Sequence, residues 1–234
     1  MYRDVNFIYN VNYDFTSRYA GQADYFDLEN SKDFSPGGGI NKAMSLVNVI
    51  RNAWTWRLFT PGREAHGITN FTRGFVMSAN SMSSHIEQFA TGIYERGHRH
   101  GAGASIILLS GAGYSLLWRY DLGETPWKDG RSDKVIRVDW KPGTVFVPPE
   151  QWYHQHFNSG PDPARFIKLG SLPGNSFYRL TTRQLREGGE RIIYYREEDP
   201  YVRALYEKEL ALHGTKIQMP PMSELIETEK ARTR

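Results

Sequence analysis

The sequence predicts an all-β fold, a β-sandwich or β-barrel, on three observations. Between residues 54 and 172, short runs of β-branched and aromatic residues recur, among them "SIILLSG" and "TVFVPP". Gly, Pro, Asn and Asp interrupt these runs at short intervals, as they do in turns. Many short strands joined by frequent turns are typical of all-β sandwiches and barrels.

The segment before this region is predicted to be an N-terminal arm, residues 1–53. It is rich in Tyr, Asn and Asp, and "SPGGG" at 35–39 indicates a flexible break. The run "NKAMSLVNVIRNA" at 41–53 favours a short helix, with Asn41 as its N-cap.

The segment after it is predicted to be a C-terminal extension, residues 173–234, with a helix at about 199–213. Asp199 is a good N-cap, Pro200 suits the first helical position, and Gly214 ends the pattern. An apolar stripe at helical spacing indicates that this helix packs on the β region or on another subunit.

Composition excludes several classes of function. The chain has 234 residues and a net charge of only +3, and its basic residues do not cluster, so nucleic acid is not an expected partner. It contains no cysteine, which excludes disulfides, thiolate catalysis and thiolate metal sites. No apolar run approaches about 18 residues, and the first residues lack a signal-peptide pattern. We therefore expect a soluble cytoplasmic protein without a membrane partner.

The residues with the clearest chemistry are two His-x-His pairs, His98 with His100 and His154 with His156. Side chains at positions i and i+2 of a strand project from the same face, so each pair can direct two imidazoles into one interior. Imidazole is a common ligand for iron, copper, nickel and zinc. Two such pairs in a β-rich chain indicate a metal site.

The spacing around both pairs resembles the two motifs of the cupin superfamily. The first motif is matched by Gly92, His98, His100 and Gly111. The second is matched by Gly143, Pro149, His154 and Asn158, with Gln151 where a second glycine is usual. The resemblance covers residues 92–158 closely. It implies a small antiparallel, jelly-roll-like cupin β-barrel over residues 54–172, with a mononuclear metal held inside by His98, His100 and His154.

The sequence departs from the cupin pattern at the carboxylate of the first motif. With Gly111 setting the register, the glutamate position falls at Ala104, or at Ser105 if one more residue is allowed. Three interpretations follow. The metal could be lost, or three histidines could suffice with positions open to water, substrate or O2. Alternatively, His156 could be a fourth ligand, and it could equally act as an acid/base group.

The charge of the donor set favours one chemistry. Three neutral imidazoles leave a divalent metal its full charge, which suits an anionic, chelating small-molecule substrate. Similar sites occur in three-histidine cupin dioxygenases such as gentisate-type dioxygenases, so the resemblance implies an Fe(II) dioxygenase acting on a small aromatic or enolisable acid. Mn, Ni, Cu and Zn are alternative metals. A lyase, decarboxylase or isomerase without O2, and a non-catalytic small-molecule-binding cupin, stay open, and a homodimer or larger homo-oligomer is expected.

Three further residues are predicted to bind substrate. Uninterrupted alternation would place Tyr94 and Arg96 on the same face as His98, where the Arg96 guanidinium could pair with a substrate carboxylate. Trp152 stands two residues before His154, so alternation would place it on the same face, where it could form an aromatic wall of the pocket.

Overall fold

The computed structural model describes residues 44–46, 50–58, 70–76, 83–100, 104–170 and 191–232. Within these ranges it contains eleven strands and two α-helices. The strands are β1 (Met44–Leu46), β2 (Asn70–Val76), β3 (Ser83–Phe89), β4 (His98–Arg99), β5 (Ser105–Ser110), β6 (Gly113–Trp118), β7 (Ile136–Trp140), β8 (Val145–Phe146), β9 (Tyr153–Phe157), β10 (Ala164–Gly170) and β11 (Arg191–Ile192). The helices are α1 (Pro200–Leu212) and α2 (Met222–Arg232).

The strands form two sheets, as the predicted all-β fold requires. One has six strands in the order β1-β2-β3-β10-β5-β8, and the other has five in the order β11-β4-β9-β6-β7. Every pairing is antiparallel except that of β1 with β2. Several neighbouring strands, such as β3 with β10 and β4 with β9, are distant in sequence, which is the arrangement of a jelly-roll-like barrel.

The space between the two sheets holds an apolar core. Phe89 and Phe166 meet edge to face with ring centroids 5.1 Å apart, and Trp140 from the other sheet lies 6.3 Å from Phe166. Ile106 and Leu108 complete this cluster from β5. Because the inward positions alternate along each strand, the same lumen also receives the histidines of β4 and β9.

Gly111 allows the chain to pass from one sheet to the other between β5 and β6. Its φ of +78° lies in the left-handed region that favours glycine. A Cβ at this position would lie 2.5 Å from the Cα of Ala164 on β10. Both constraints require glycine, which gives a physical reason for the residue that closes the first histidine motif.

The C-terminal helices cover the outer face of the five-stranded sheet. Tyr206 and Leu210 of α1 pack with Tyr94 and Phe157 of the sheet in a second apolar cluster, which Leu225 of α2 joins. The Asp199 side chain accepts a hydrogen bond from the backbone N–H of Tyr201, so the predicted cap is confirmed. The predicted helix is observed over 200–212, whereas α2 was not predicted.

The helix predicted over 41–53 is wrong at residues 44–46, which form β1, and at residues 50–53, which are not helical; residues 41–43 and 47–49 lie outside the described ranges. β1 pairs in parallel with β2, and this pairing overrides a weak local helical pattern. β11, in the predicted extension, pairs antiparallel with β4. Elements from both flanks therefore join the sheets, and the domain boundaries at 53 and 172 stay predictions.

The two helices are also too short or too polar to cross a membrane, as is every other helix in the described part of the chain.

Candidate metal centre

Three of the predicted ligands meet in the lumen. His98, His100 and His154 each offer a ring nitrogen, and these atoms all lie within 4.8 Å of one another. The ring centroids of His98 and His154 are 4.2 Å apart, and those of His100 and His154 are 4.9 Å apart. Pairing of β4 with β9 sets His98 directly opposite His154. Among the described residues, this group contains no carboxylate.

Backbone carbonyls orient two of these imidazoles. His98 Nδ1 lies 3.0 Å from the carbonyl oxygen of Arg96, and His154 Nδ1 lies 3.1 Å from that of Trp152. When Nδ1–H donates to a carbonyl, the neutral ring presents the lone pair of Nε2, which is the usual arrangement of a metal-ligating histidine.

The environment of His154 keeps its ring neutral. Burial, reinforced by the neighbouring His100 and His156, lowers the pKa of His154 well below its ordinary value. A neutral imidazole is the form that binds a metal ion. The donor set therefore fits a divalent transition metal.

Gln151 adopts a backbone conformation that is rare outside glycine. Its φ is +63°, and it is the residue at the position where the second cupin motif usually has glycine. Its backbone N–H donates to the carbonyl of His100 at 3.0 Å, and its side-chain Oε1 accepts from Arg99 at 2.5 Å. These two bonds hold Gln151 in the left-handed region and connect the turn before β9 to the end of β4.

A β-bulge precedes β4. Tyr94 is bridged to Phe157, whereas His98 is paired with His154, so four steps along one strand oppose three along the other. An extra residue of this kind reverses the facing of the side chains on one side of it.

The bulge makes the predicted facing of Tyr94 and Arg96 wrong, because both side chains lie on the outer face of the sheet. The Tyr94 hydroxyl donates to Glu198 at 2.8 Å, and its ring stacks on Phe157 beneath α1. Arg96 Nη1 donates to Glu229 of α2 at 2.5 Å. Neither residue lies with the histidines, since simple alternation from His98 fails across the inserted residue.

The bulge instead turns Glu95 into the lumen. Glu95 Oε1 lies 3.8 Å from His98 Nδ1, and Oε2 lies 4.0 Å from Nζ of Lys168 on β10. Lys168 Nζ also lies 2.7 Å from Oε2 of Glu87 on β3. We call Glu87, Glu95 and Lys168 the buried charge cluster. It places two carboxylates and one ammonium group beside the histidines.

The three members of this cluster titrate differently. Burial raises the pKa of Glu95 to about 8, and the nearby Glu87 raises it further against the pull of Lys168. Burial also opposes ionisation of Glu87, but Lys168 and His85 outweigh it and lower the pKa of Glu87. Burial lowers the pKa of Lys168, and the two carboxylates more than compensate. The Glu87–Lys168 contact is therefore an ion pair.

His156 also faces the lumen but makes different contacts. Its ring centroid lies 5.6 Å from that of His154, and its Nδ1 lies 2.7 Å from Oγ of Ser115 on β6. It is not part of the group of three close nitrogens. The side chain of Trp152 is half-buried at the start of β9, and its role in substrate binding stays a prediction.

Sequence reasoning missed Glu95, Lys168 and Ser115. Ser115 and Lys168 occupy inward positions on β6 and β10, but no motif distinguishes them from other polar strand residues. Glu95 stands three residues before His98, an odd spacing that excludes it from the shared face unless a bulge intervenes. The one local sign of a bulge was the glycine directly before the strand, in "ERGH" at 95–98.

No protein-family model matches the chain. No curated protein matches it either.

Solved structures that resemble this one include two that are named as cupins and an oxalate decarboxylase. A cupin-like protein from Thermotoga maritima is 16% identical, with 66% of this chain and 96% of that chain covered and a TM-score of 0.41. A cupin 2 conserved barrel domain protein from Rhodopseudomonas palustris is 17% identical, with coverages of 56% and 79% and a TM-score of 0.38. Oxalate decarboxylase from Lactobacillus farciminis is 17% identical, with coverages of 50% and 31% and a TM-score of 0.37.

This chain therefore spans about a third of the length of the oxalate decarboxylase. At these identities and TM-scores, the likenesses assign neither an activity nor a substrate. The resemblance to cupins depends on the two histidine motifs of this sequence and on the site at which its own strands bring them together.

Proposed function

We propose that this protein is a mononuclear metal-dependent enzyme, an Fe(II) dioxygenase that acts on a small aromatic or enolisable acid. The observation that supports the proposal is the group of three imidazole nitrogens within 4.8 Å, contributed by His98, His100 and His154. Imidazole ligands suit Fe(II) and the later divalent metals, and they leave the metal its full positive charge.

The chain's own groups would prepare the site for an anionic substrate. The carbonyls of Arg96 and Trp152 orient His98 and His154 with Nε2 as the unprotonated nitrogen, which is the form that binds a metal. The side chains of both histidines are almost fully buried, which strengthens electrostatic attraction between a cationic centre and an anionic ligand. When bound, the metal would supply Lewis acidity and a binding place for O2 and substrate.

The first test is elemental analysis of the natively purified protein. We expect about one equivalent of a transition metal in the wild type and its loss in His154→Ala. The matched control is His213→Ala, because His213 is exposed at the C-terminal end of α1, where its ring contacts Glu209. A wild type that neither contains a transition metal nor rebinds one would contradict both enzymatic functions and favour a metal-free binding protein.

The second test separates the oxygenase from a lyase, decarboxylase or isomerase at the same site. The Fe(II)-loaded protein is supplied with gentisate-like acids and β-diketone acids while O2 is measured with an electrode. We expect substrate-dependent O2 consumption that is lost in His154→Ala and retained in His213→Ala. Product formation under strict anaerobiosis would contradict the dioxygenase and favour the O2-independent alternative.

A further inference from the structure

His156 lies at one end of a short chain of hydrogen bonds inside the barrel. The indole Nε1–H of Trp140 donates to Oγ of Ser115 at 3.0 Å, and the same Oγ lies 2.7 Å from Nδ1 of His156. Ser115 is 0% exposed and His156 is 2% exposed, so water does not compete for these bonds. Antiparallel pairing of β6 with β9 places Ser115 opposite His156, and pairing of β6 with β7 places Trp140 opposite Gly113.

The direction of these hydrogen bonds follows from which atoms can donate. Indole Nε1 is a donor only, so Ser115 must accept from Trp140. The one hydroxyl proton of Ser115 then needs an acceptor, and within the part of the chain that the structure describes its contacts are with Trp140 and His156 alone. If His156 Nδ1–H donated instead, the buried hydroxyl proton would be left without a partner, which is costly.

We propose that Trp140 and Ser115 are positioning residues that hold His156 as its Nε2–H tautomer. Nδ1 accepts from Ser115 and the opposite edge of the ring presents an N–H donor inside the lumen. His156 is therefore not a fourth metal ligand, since one ring nitrogen is engaged and the other is protonated. Trp152 and Arg96 set the opposite arrangement at His154 and His98, where carbonyls accept Nδ1–H and Nε2 is the unprotonated nitrogen.

The role of this N–H follows if the proposed function is correct. The His156 ring centroid lies 6.5 Å from that of His98 and 5.6 Å from that of His154. The rings of Phe146 and Phe166 lie 6.0 Å and 6.1 Å from it. A fixed donor in an apolar, water-poor surrounding favours an anionic oxygen or nitrogen of a small ligand held at the three histidines. His156 would then bind the ligand and not the metal.

The tautomer is tested by ¹⁵N NMR of the full chain labelled at histidine, both metal-free and loaded with Zn²⁺. We expect His156 to show a protonated Nε2 and an acceptor-type Nδ1 in both states. In Ser115→Ala and in Trp140→Phe the Nδ1–H form should increase, because each change removes one link of the chain. A protonated Nδ1 in the wild type, or an unchanged tautomer in both variants, would overturn the proposal.

The ligand role is tested with Co²⁺ and azide, followed by visible absorption. His156→Phe should retain one equivalent of Co²⁺ and bind azide about tenfold more weakly, which is the loss expected for a hydrogen bond to a charged group. His154→Ala, in contrast, should lose Co²⁺. Loss of Co²⁺ from His156→Phe would identify a fourth ligand and refute this inference, while the proposed metal function would stand. Failure of the wild type to bind Co²⁺ would contradict the proposed function and leave the tautomer result unaffected.

Discussion

The ion pair between Arg96 and Glu229 gives the sharpest test of the outer face of the sheet. Arg96 Nη1 and Glu229 Oε1 are 2.5 Å apart, and the two side chains are 8% and 9% exposed. Glu229 Oε1 also accepts the backbone N–H of Tyr195 at 3.1 Å. Glu229→Ala would leave the Arg96 guanidinium buried without this carboxylate and would remove the acceptor of Tyr195.

Breaking one side of a buried ion pair costs about 3–5 kcal/mol, because the remaining charge has lost its compensation. For a chain of this size each kcal/mol lowers the melting temperature by about 2–4 °C, so Glu229→Ala should melt roughly 10 °C below the wild type. The double variant Arg96→Met/Glu229→Leu should recover most of the loss, since apolar replacements of similar volume remove both charges together.

Thermal melts followed by circular dichroism and urea titrations measure these changes. Glu227→Ala is the matched control, because Glu227 lies on the same helix but is exposed, and its melt should coincide with that of the wild type. A Glu229→Ala protein as stable as Glu227→Ala would refute the reasoning. So would an Arg96→Met protein of unchanged stability that fails to bind the substrate of the wild type, since that result would return Arg96 to the substrate site.

Three further outcomes are expected. Burial raises the pKa of Glu198 to about 7, so its folded carboxyl keeps a proton that the unfolded chain releases above about pH 4.5. The contribution of this carboxyl to the free energy of unfolding should fall by about 2 kcal/mol between pH 5 and pH 7, and Glu198→Gln should remove that part of the pH dependence in urea titrations. Lys168→Met leaves the ionised Glu87 buried beside another carboxyl, and should lose about 3–5 kcal/mol at pH 7, much of which Lys168→Met/Glu87→Gln should restore in the same titrations. Tyr206→Phe removes a hydroxyl that donates to two buried carbonyls, including that of Asn158, and should cost about 1–2 kcal/mol in a thermal melt that leaves metal content unchanged.

Each of these last three predictions has an outcome that would contradict it. An unfolding free energy of the wild type that rises from pH 5 to pH 7 would place the ionised form of Glu198 in the fold. A Lys168→Met protein as stable as the wild type would show that Glu87 is solvated. Loss of metal from Tyr206→Phe would connect α1 to the histidines directly.

Local patterns predicted the part of the site that lies within adjacent strands. His98 begins β4, His100 directly follows it, and His154 lies on β9. Direct pairing of these two strands brings the three rings together. The glycine spacing predicted this correctly because Gly111 satisfies a local backbone demand that leaves a mark in the sequence. The C-terminal helix was predicted for the same reason, since Asp199, Pro200 and the stop at Gly214 act on neighbouring residues.

Predictions of side-chain facing from strand alternation failed where the chain departs from regular pairing. A single inserted residue between Tyr94 and His98 exchanged the two faces, so Tyr94 and Arg96 pack under the C-terminal helices and Glu95 enters the lumen. The energy that holds this bulge comes from contacts with segments more than a hundred residues away, such as Glu198 and Glu229. Nothing within a window of ten residues encodes them.

The sequence by itself determined the strand-rich core, the capped helix and the three histidines that can meet, because alternation, capping and turn chemistry depend on near neighbours. Only the tertiary structure decided which polar groups join them. Lys168 reaches Glu87 and Glu95 by strand pairing across the barrel, and Ser115 and Trp140 reach His156 from two other strands. Folding brings these partners together from distant positions and buries them. The tautomer or charge of each group depends on that pairing and burial, so near neighbours in the sequence do not determine it.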